Sequence, residues 1–149
     1  MQSKDDTSYG VIPIMRVGHE WKVFLIHQFS RIGDNTYWIL PKGHPVANET
    51  AQETAVRELK EETGMTPEKL IEYPTFKLKY KFMYEGVQIN KSVIYYVGII
   101  KGGEYVLQED EVVEAGWYSL EEASLKLDYN NAKKMFKKAK EFIKTYEAN

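Results

Sequence analysis

The chain has 149 residues, a length typical of one domain with a buried core, so we expect a single domain over residues 1–149. A composition of 43% hydrophobic and 28% charged residues excludes a disordered chain, and the net charge of −2 gives no bulk attraction for a long polyanion. The absence of cysteine excludes disulfides, thiolate metal sites and a cysteine nucleophile. No apolar run approaches about 18 residues and the start, MQSKDDTSYG, lacks a signal-peptide core, so we expect a cytoplasmic protein.

The first part of the chain is rich in β-branched and aromatic residues. Strands are predicted over 9–17, 21–28 and 37–40. Gly18-His19-Glu20 forms the turn between the first two strands, and residues 30–36 form a loop. The third strand stops at Pro41, because proline cannot donate a ladder hydrogen bond. Residues 41–45, with two prolines and a glycine, are predicted to be a loop.

A helix follows this loop. It begins near Asn48 or Thr50, and Thr50 with Glu53 three residues later fits a capping box. Gly64 is suited to the left-handed position after the last turn, and Pro67 prevents the helix from resuming. The sequence therefore predicts one helix of about four turns in the middle of the chain.

The second half alternates strands with a polar loop and then ends in helices. Strands are predicted over 72–84, 88–100 and 115–118, with a turn at Glu85-Gly86, a polar loop over 101–111, and helices over 120–127 and 131–145. Ser119 caps the first of these helices, with Glu122 at its third position. The stretch 91–100 is nearly all apolar after Lys91, which predicts a central strand. Mixed strands with one helix in the middle and helices at the end predict an α/β/α sandwich around a mixed β-sheet.

Three glutamates of the middle helix fall on one face. Glu58, Glu61 and Glu62 lie within about 100° of arc, where like charges repel by a few tenths of a kcal/mol per exposed pair. A counter-charge is therefore expected. Oxygen ligands suit a hard divalent cation, Mg²⁺ or its substitute Mn²⁺, and Mg²⁺ commonly brings substrate phosphates with it. The alternative interpretation is a solvated, glutamate-rich helix face.

Residues 43–65, GHPVANETAQETAVRELKEETGM, have the spacing of a known motif: glycine, five residues, Glu, seven residues, then Arg-Glu-apolar-x-Glu-Glu-x-Gly-apolar. At every fixed position the chain resembles the Nudix box, and it is similar to the Nudix hydrolases. The resemblance implies that the box forms a loop–helix–loop beside a mixed sheet. It also implies metal-dependent hydrolysis of a nucleoside diphosphate linked to another group, by attack of water on a phosphorus.

The resemblance also implies roles for the box residues. Glu58 and Glu62 are the expected principal metal ligands, and Glu61 is a further ligand or the base. The backbone carbonyl of Lys42 is another expected ligand. Gly43, which has no Cβ, would let the backbone approach the metal closely.

Arg57 matches the arginine of the box. It is expected to support catalysis by orienting Glu49 or Glu61 through a bidentate pair. The alternative is an ordinary surface partner of Glu53 or Glu61, four residues away on the helix.

A second acidic group, Glu109, Asp110 and Glu111, precedes Trp117. Many Nudix enzymes place a further metal ligand or general base in this loop, and Glu111 matches that position best. The alternative is a solvated acidic turn, which is the preferred interpretation for Glu109 and Asp110.

Features outside the box resemble the asymmetrical diadenosine tetraphosphate hydrolases of this family. YWILPKGH (37–44) implies that Lys42 and His44 reach the phosphate chain, and KSVIYYVG (91–98) implies the same for Lys91. The alternative for Lys91 is an edge-strand lysine in solvent. Aromatic residues that could sandwich an adenine, or belong to the core or sheet surface, are Tyr80, Phe82, Tyr84 and Tyr129. The implied reaction is hydrolysis of diadenosine tetraphosphate to ATP and AMP.

Rival functions remain open on the sequence. One is another Nudix activity, such as an RNA 5′-pyrophosphohydrolase, a nucleoside-triphosphate sanitiser or an inositol-polyphosphate phosphatase. The lysines of the last helix would support RNA binding, although they also fit a solvated face. The other is a catalytically silent binding module, which would usually have lost box glutamates. A small-molecule nucleotide is the expected partner, and a long nucleic acid is not.

Overall fold

The computed structural model describes residues 2–29, 35–107 and 112–146. The strands are β1 (Ser3–Val17), β2 (Glu20–Phe29), β3 (Thr36–Ile39), β4 (Lys42–Gly43), β5 (Lys69–Tyr84), β6 (Val87–Ile99) and β7 (Val112–Ser119). The helices are α1 (Ala51–Thr63), α2 (Leu120–Lys126) and α3 (Asn130–Thr145). No helix in these described ranges is long and apolar enough to cross a membrane.

The strands form one mixed sheet in the order β3-β2-β1-β6-β5, with β4 added to β1 and β7 added to β2. The pairing of β1 with β6 is parallel and runs from Ser3 opposite Gln88 to Ile14 opposite Ile99. The other pairings are antiparallel. As expected for an apolar strand, β6 lies between two neighbours.

Helices cover both faces of this sheet. Neighbouring residues of a strand point to opposite faces, so adjacent residues of β1 pack against different helices. On one face, Val11 packs in a core cluster with Ala55 and Leu59 of α1. On the other, Ile12 packs in a cluster that includes Phe136 of α3 and residues of α2. This arrangement is the expected α/β/α sandwich around a mixed sheet.

Helix α1 begins and ends where its capping residues predict. The Thr50 Oγ accepts a hydrogen bond from the Glu53 amide at 3.2 Å, and the Glu53 carboxylate accepts one from the Thr50 amide at 3.0 Å. Asn48, the other predicted start, lies outside the helix with a φ of 67°. Gly64 ends the helix with a φ of 76°, and its amide donates to the Lys60 carbonyl at 2.8 Å.

β5 and β7 each begin three residues earlier than predicted, at Lys69 and Val112, and two further differences are larger. β1 begins at Ser3 rather than at residue 9, because its polar first residues pair with β6 over their whole length. The predicted loop 41–45 contains the two-residue strand β4, in which Lys42 and Gly43 pair with Gly10 and Tyr9. Both differences come from pairing with distant strands, which the local composition does not reveal.

Candidate active site

The box begins where strand β4 passes directly beside helix α1. A Cβ added to Gly43 would overlap the carboxyl group of Glu58, so no other residue fits there without displacing that side chain. The main-chain amide of Lys42 donates a hydrogen bond to Glu62 Oε2 at 3.0 Å. Two box glutamates therefore lie directly against the backbone of the loop that precedes the helix.

Arg57 links the acidic residues of this site. Its Nε and Nη2 donate to the two carboxylate oxygens of Glu49 at 2.6 and 3.0 Å, which is a bidentate pair. Its Nη1 donates to Glu58 and to Glu61, each at 3.0 Å, and Nη2 also donates to the carbonyl of His44 at 2.8 Å. Arg57 therefore makes the helical contact with Glu61 that the surface interpretation predicted, but its bidentate partner is Glu49.

The pKa values of Glu49 and Glu58 shift in opposite directions, although Arg57 contacts both carboxylates. Hydrogen bonds from Arg57, assisted by those from Thr54 and the Val46 amide, lower the pKa of Glu49 to about 2 against a smaller effect of burial. Burial raises the pKa of Glu58, and the charge of Arg57 offsets this only in part. A nearby cation would stabilise the ionised form of Glu58.

The donor atoms fit a hard divalent cation, since Glu58, Glu61, Glu62 and the Lys42 carbonyl all offer oxygen. Within the described residues, however, no three histidine or acidic side chains are grouped so that they could hold a metal ion. Arg57 shares one positive charge among Glu49, Glu58 and Glu61, so it offsets only part of their negative charge. The metal role of the box glutamates stays a prediction. Glu109, Asp110 and Glu111 lie outside the described residues.

A second cluster joins Lys91 and His44 to residues of β1. The Nζ of Lys91 is 2.8 Å from Asp6 Oδ2, 2.5 Å from Ser8 Oγ and 3.1 Å from His44 Nε2. His44 Nε2 is also 2.9 Å from both carboxylate oxygens of Asp6. Lys91 is only 5% exposed, which excludes an edge lysine in solvent. Tyr80 lies opposite Lys91 in the β5–β6 pairing.

Asp6 and Ser8 are members of this cluster that the sequence did not indicate. They sit in the polar start of β1, and the parallel register places Asp6 opposite Lys91, 85 residues away. Burial opposes the ionisation of Asp6, but hydrogen bonds from His44 and Lys91 outweigh it and hold the pKa of Asp6 below its ordinary value. Asp6 therefore bears the negative charge that balances this buried lysine.

The candidate adenine-binding aromatics fall into two groups. Tyr80 and Phe82 lie on one face of β5, with ring centroids 6.0 Å apart and planes 29° apart, and Tyr84 follows on the same face at 51% exposure. Tyr129 is stacked on Tyr37, with centroids 4.9 Å apart, and is half exposed. Tyr37 was not among the predicted site residues.

Comparison with known proteins agrees with the box. A family model described as the NUDIX domain matches residues 5–139. The mouse asymmetrical bis(5′-nucleosyl)-tetraphosphatase is 29% identical over 108 residues, which cover 72% of each chain. An ADP-ribose pyrophosphatase of Bacillus subtilis is 32% identical over 114 residues, covering 76% of this chain and 60% of that protein. A Mycobacterium tuberculosis protein named as the mutator protein MutT4 is 34% identical over 119 residues, covering 80% of this chain and 47% of its own. The chain thus spans about half to three-fifths of the length of these last two relatives.

Solved structures show the same architecture. A binary complex of the C. elegans Ap4A hydrolase superposes with a TM-score of 0.79 at 24% identity, covering 94% of this chain and 98% of that one. The NUDIX domain of Shewanella oneidensis NrtR, complexed with ADP ribose, superposes with a TM-score of 0.72 at 18% identity, covering 96% and 89%. At these identities the likeness shows the fold. Together with the domain match over most of its length, it establishes that the chain belongs to the NUDIX domain family.

Proposed function

We propose that this protein is a metal-dependent Nudix pyrophosphohydrolase that cleaves diadenosine tetraphosphate to ATP and AMP. The observation that carries this proposal is the double role of His44. Its carbonyl accepts from Arg57, which holds the acidic group, and its imidazole lies 3.1 Å from the Nζ of Lys91. One residue thus connects an acidic site suited to a metal with a site whose ammonium and imidazole groups could donate to phosphates.

The acidic side of the site would hold the metal and the attacked phosphate. Glu58, Glu61, Glu62 and the Lys42 carbonyl are the residues that would hold Mg²⁺ or Mn²⁺. A bound divalent cation supplies charge neutralisation and activates water. Arg57 fixes the rotamers of Glu58 and Glu61, so the carboxylates are oriented before substrate arrives.

The site around Lys91 and His44 would hold the part of the phosphate chain that is not attacked. A four-phosphate bridge carries about four negative charges, and Lys91, His44 and Lys42 offer donors to them. An aromatic side chain such as Tyr80 would stack on one adenine, a contact worth about 1–3 kcal/mol. If one adenine is held in this way, the attacked phosphorus lies at a set distance from that end of the substrate. Hydrolysis there gives two products of unequal length.

The products test this proposal. Full-length protein with Mg²⁺ and diadenosine tetraphosphate should give equal amounts of ATP and AMP by chromatography. Two molecules of ADP, or faster hydrolysis of nucleoside triphosphates, ADP-ribose or 5′-triphosphorylated RNA, would refute the substrate and leave the family assignment intact. ADP-ribose belongs in the comparison because one relative is named for it.

Variants test the roles of the carboxylates. Glu58→Gln and Glu62→Gln keep the shape and remove a charge, so both should abolish most turnover while the thermal unfolding curve stays close to wild type. Glu111→Gln should lower kcat by about 10- to 10⁴-fold if that residue is a base or ligand, with Glu109→Gln as the matched control. Equal, small effects of the last two would assign that loop to a solvated turn.

A further inference from the structure

Asp6 neutralises the site around Lys91 and His44. Its Oδ2 lies 2.8 Å from Lys91 Nζ, and both of its carboxylate oxygens lie 2.9 Å from His44 Nε2. Lys91 and His44 are the side chains that would donate to the phosphate chain of the proposed substrate. A carboxylate offers them the same chemistry as a phosphate oxygen, namely a negatively charged acceptor. Asp6 therefore holds the donors that a phosphate chain would use.

The ammonium group of Lys91 is enclosed by this cluster. Three side chains lie around Nζ, namely Asp6 at 2.8 Å, Ser8 at 2.5 Å and His44 at 3.1 Å. An ammonium group has three N–H donors, so each of them already faces a side chain. The side chain of Lys91 is 5% exposed, against 31% for Asp6 and 55% for His44. A phosphate that enters from solvent therefore meets the carboxylate of Asp6 and the imidazole of His44 before it reaches the ammonium group.

The contacts within the cluster compete with one another. The Nε2 of His44 lies 2.9 Å from Asp6 and 3.1 Å from Lys91 Nζ. An imidazole nitrogen carries either an N–H or a lone pair, so Nε2 donates to the carboxylate or accepts from the ammonium group but does not do both. One of these two close contacts is therefore not a hydrogen bond. A phosphate chain, with acceptor oxygens on each phosphorus, would accept from both residues at once.

We propose that Asp6 is an internal competitor for the phosphate chain, in that its carboxylate holds Lys91 and His44 until phosphates displace it. This inference rests on the phosphate-binding part of the proposed function and extends it to the class of ligand. Because Asp6 belongs to β1, its carboxylate is held at the site, and its displacement lowers the affinity of every anion by the same factor. A small anion such as orthophosphate then binds too weakly to fill the site. A chain of several phosphates, with more charges and more acceptors, keeps a useful affinity.

The competing explanation is that Asp6 only orients Lys91 and keeps its buried charge paired. The two explanations predict opposite effects of removing the carboxylate, since a competitor weakens anion binding and an orienting residue strengthens it. The neighbouring residue Asp5 supplies a matched control. Its side chain points to the opposite face of the sheet, where Oδ1 accepts a hydrogen bond from Asn90 Nδ2 at 2.9 Å. Replacing either aspartate by asparagine changes the net charge equally.

Anion binding can be measured apart from turnover. The full chain carrying Glu58→Gln, in EDTA, is titrated with tripolyphosphate and with orthophosphate in a calorimeter. Adding Asp6→Asn should tighten the binding of each anion by about 10- to 150-fold, the range expected when a charge-assisted hydrogen bond no longer has to be broken. Adding Asp5→Asn instead should leave both affinities unchanged. Adding Lys91→Met to the Asp6→Asn protein should abolish the gain, because the ammonium group that was released is then missing.

The proposal is overturned if Asp6→Asn binds tripolyphosphate no more tightly than Asp5→Asn does, which would make Asp6 an orienting residue. A gain that survives Lys91→Met also overturns it, because the anion then binds elsewhere. If the unpaired ammonium group prevents Asp6→Asn from folding in dilute buffer, tripolyphosphate should restore its thermal unfolding transition, and a protein that stays unfolded contradicts the proposal. Failure of the wild-type protein to hydrolyse diadenosine tetraphosphate would refute the proposed reaction and leave these binding results unaffected.

Discussion

Arg57 forms ion pairs with three glutamates, and it binds Glu49 through two hydrogen bonds. The pKa of Glu49 is lowered to about 2 in the folded protein, from an ordinary value of 4.5. A carboxylate with a depressed pKa adds stability above its unfolded pKa, and this stability is lost as pH falls through the folded pKa. The relevant window therefore lies between pH 4.5 and about 2.

Replacing Glu49 by Gln should remove this pH-dependent contribution. Urea unfolding should show Glu49→Gln less stable than wild type near about pH 6, with the difference shrinking as pH approaches about 2. Glu104→Gln, at an exposed carboxylate outside the network, is the control and should track wild type throughout. A difference for Glu49→Gln that stays constant with pH would mean that the pair with Arg57 is not the cause.

Gly43 gives a steric test of the same site. In Gly43→Ala the new methyl group would collide with the Glu58 carboxyl, so the carboxylate must move. A displacement of about 1 Å at a reacting group costs on the order of 10²-fold, and we expect kcat/KM to fall by that order. Gly116→Ala is the control, because its Cβ would meet only the Tyr118 side chain at 3.5 Å or more. Equal activity of the two variants would contradict the placement of Glu58.

At the residue scale, the sequence predicted the site residues that belong to one short motif. It missed Asp6 and Ser8, which reach the site only through the pairing of distant strands. The box places Arg57 and Glu49 within about ten residues of each other, and the resemblance to the box implied Glu49 or Glu61 as the partner of Arg57. Asp6 has no such signal, because its contact with Lys91 exists only once β1 and β6 pair in a parallel register.

Helix α1 is the element whose boundaries determine the site, since it carries the box glutamates. Its first turn depends on Thr50, whose side chain accepts from the Glu53 amide at 3.2 Å. Thr50→Ala should therefore lower the free energy of unfolding by about 1 kcal/mol, measured by urea titration. Thr50→Ser keeps the hydroxyl and should restore most of this loss. If the serine variant is as unstable as the alanine variant, packing of the threonine methyl is the cause and not the cap.

The sequence predicted where the helices α1 and α2 begin, but it did not predict where strand β1 begins. The caps of α1 and α2 are local signals, and both helices begin directly after the predicted Thr50 or Ser119. The start of β1 carries no such signal, since Ser3–Thr7 is polar and reads as a loop by composition. Its strand conformation comes from hydrogen bonding to β6, a partner more than 80 residues away.

The whole molecule depends on two cores, one on each face of the sheet. Phe136 of α3 is fully buried in the larger one. Phe136→Ala should lower the free energy of unfolding by about 3–5 kcal/mol, because it removes buried apolar surface and leaves a cavity. Leu125→Ala is the control, since that side chain is 81% exposed, and it should change stability by less than about 0.5 kcal/mol. A small effect at Phe136 would mean that α3 is not needed to close this face.

At the level of the molecule, the alternation of strands and helices was enough to predict the sandwich and its mixed sheet. Which helix covers which face was not predictable from that alternation. It follows from the register of β1, which directs Val11 to α1 and Ile12 to α3.

The long parallel pairing of β1 with β6 predicts the effect of truncating the N-terminus. Residues before Ser8 look dispensable, being polar and mostly exposed. A truncated protein that begins at Ser8 would nevertheless lack Asp6. The buried ammonium group of Lys91 would then have lost its carboxylate partner. It would also uncover main-chain donors and acceptors between Gln88 and Ser92 for a neighbouring molecule to pair with, so the shortened product would tend to precipitate during purification.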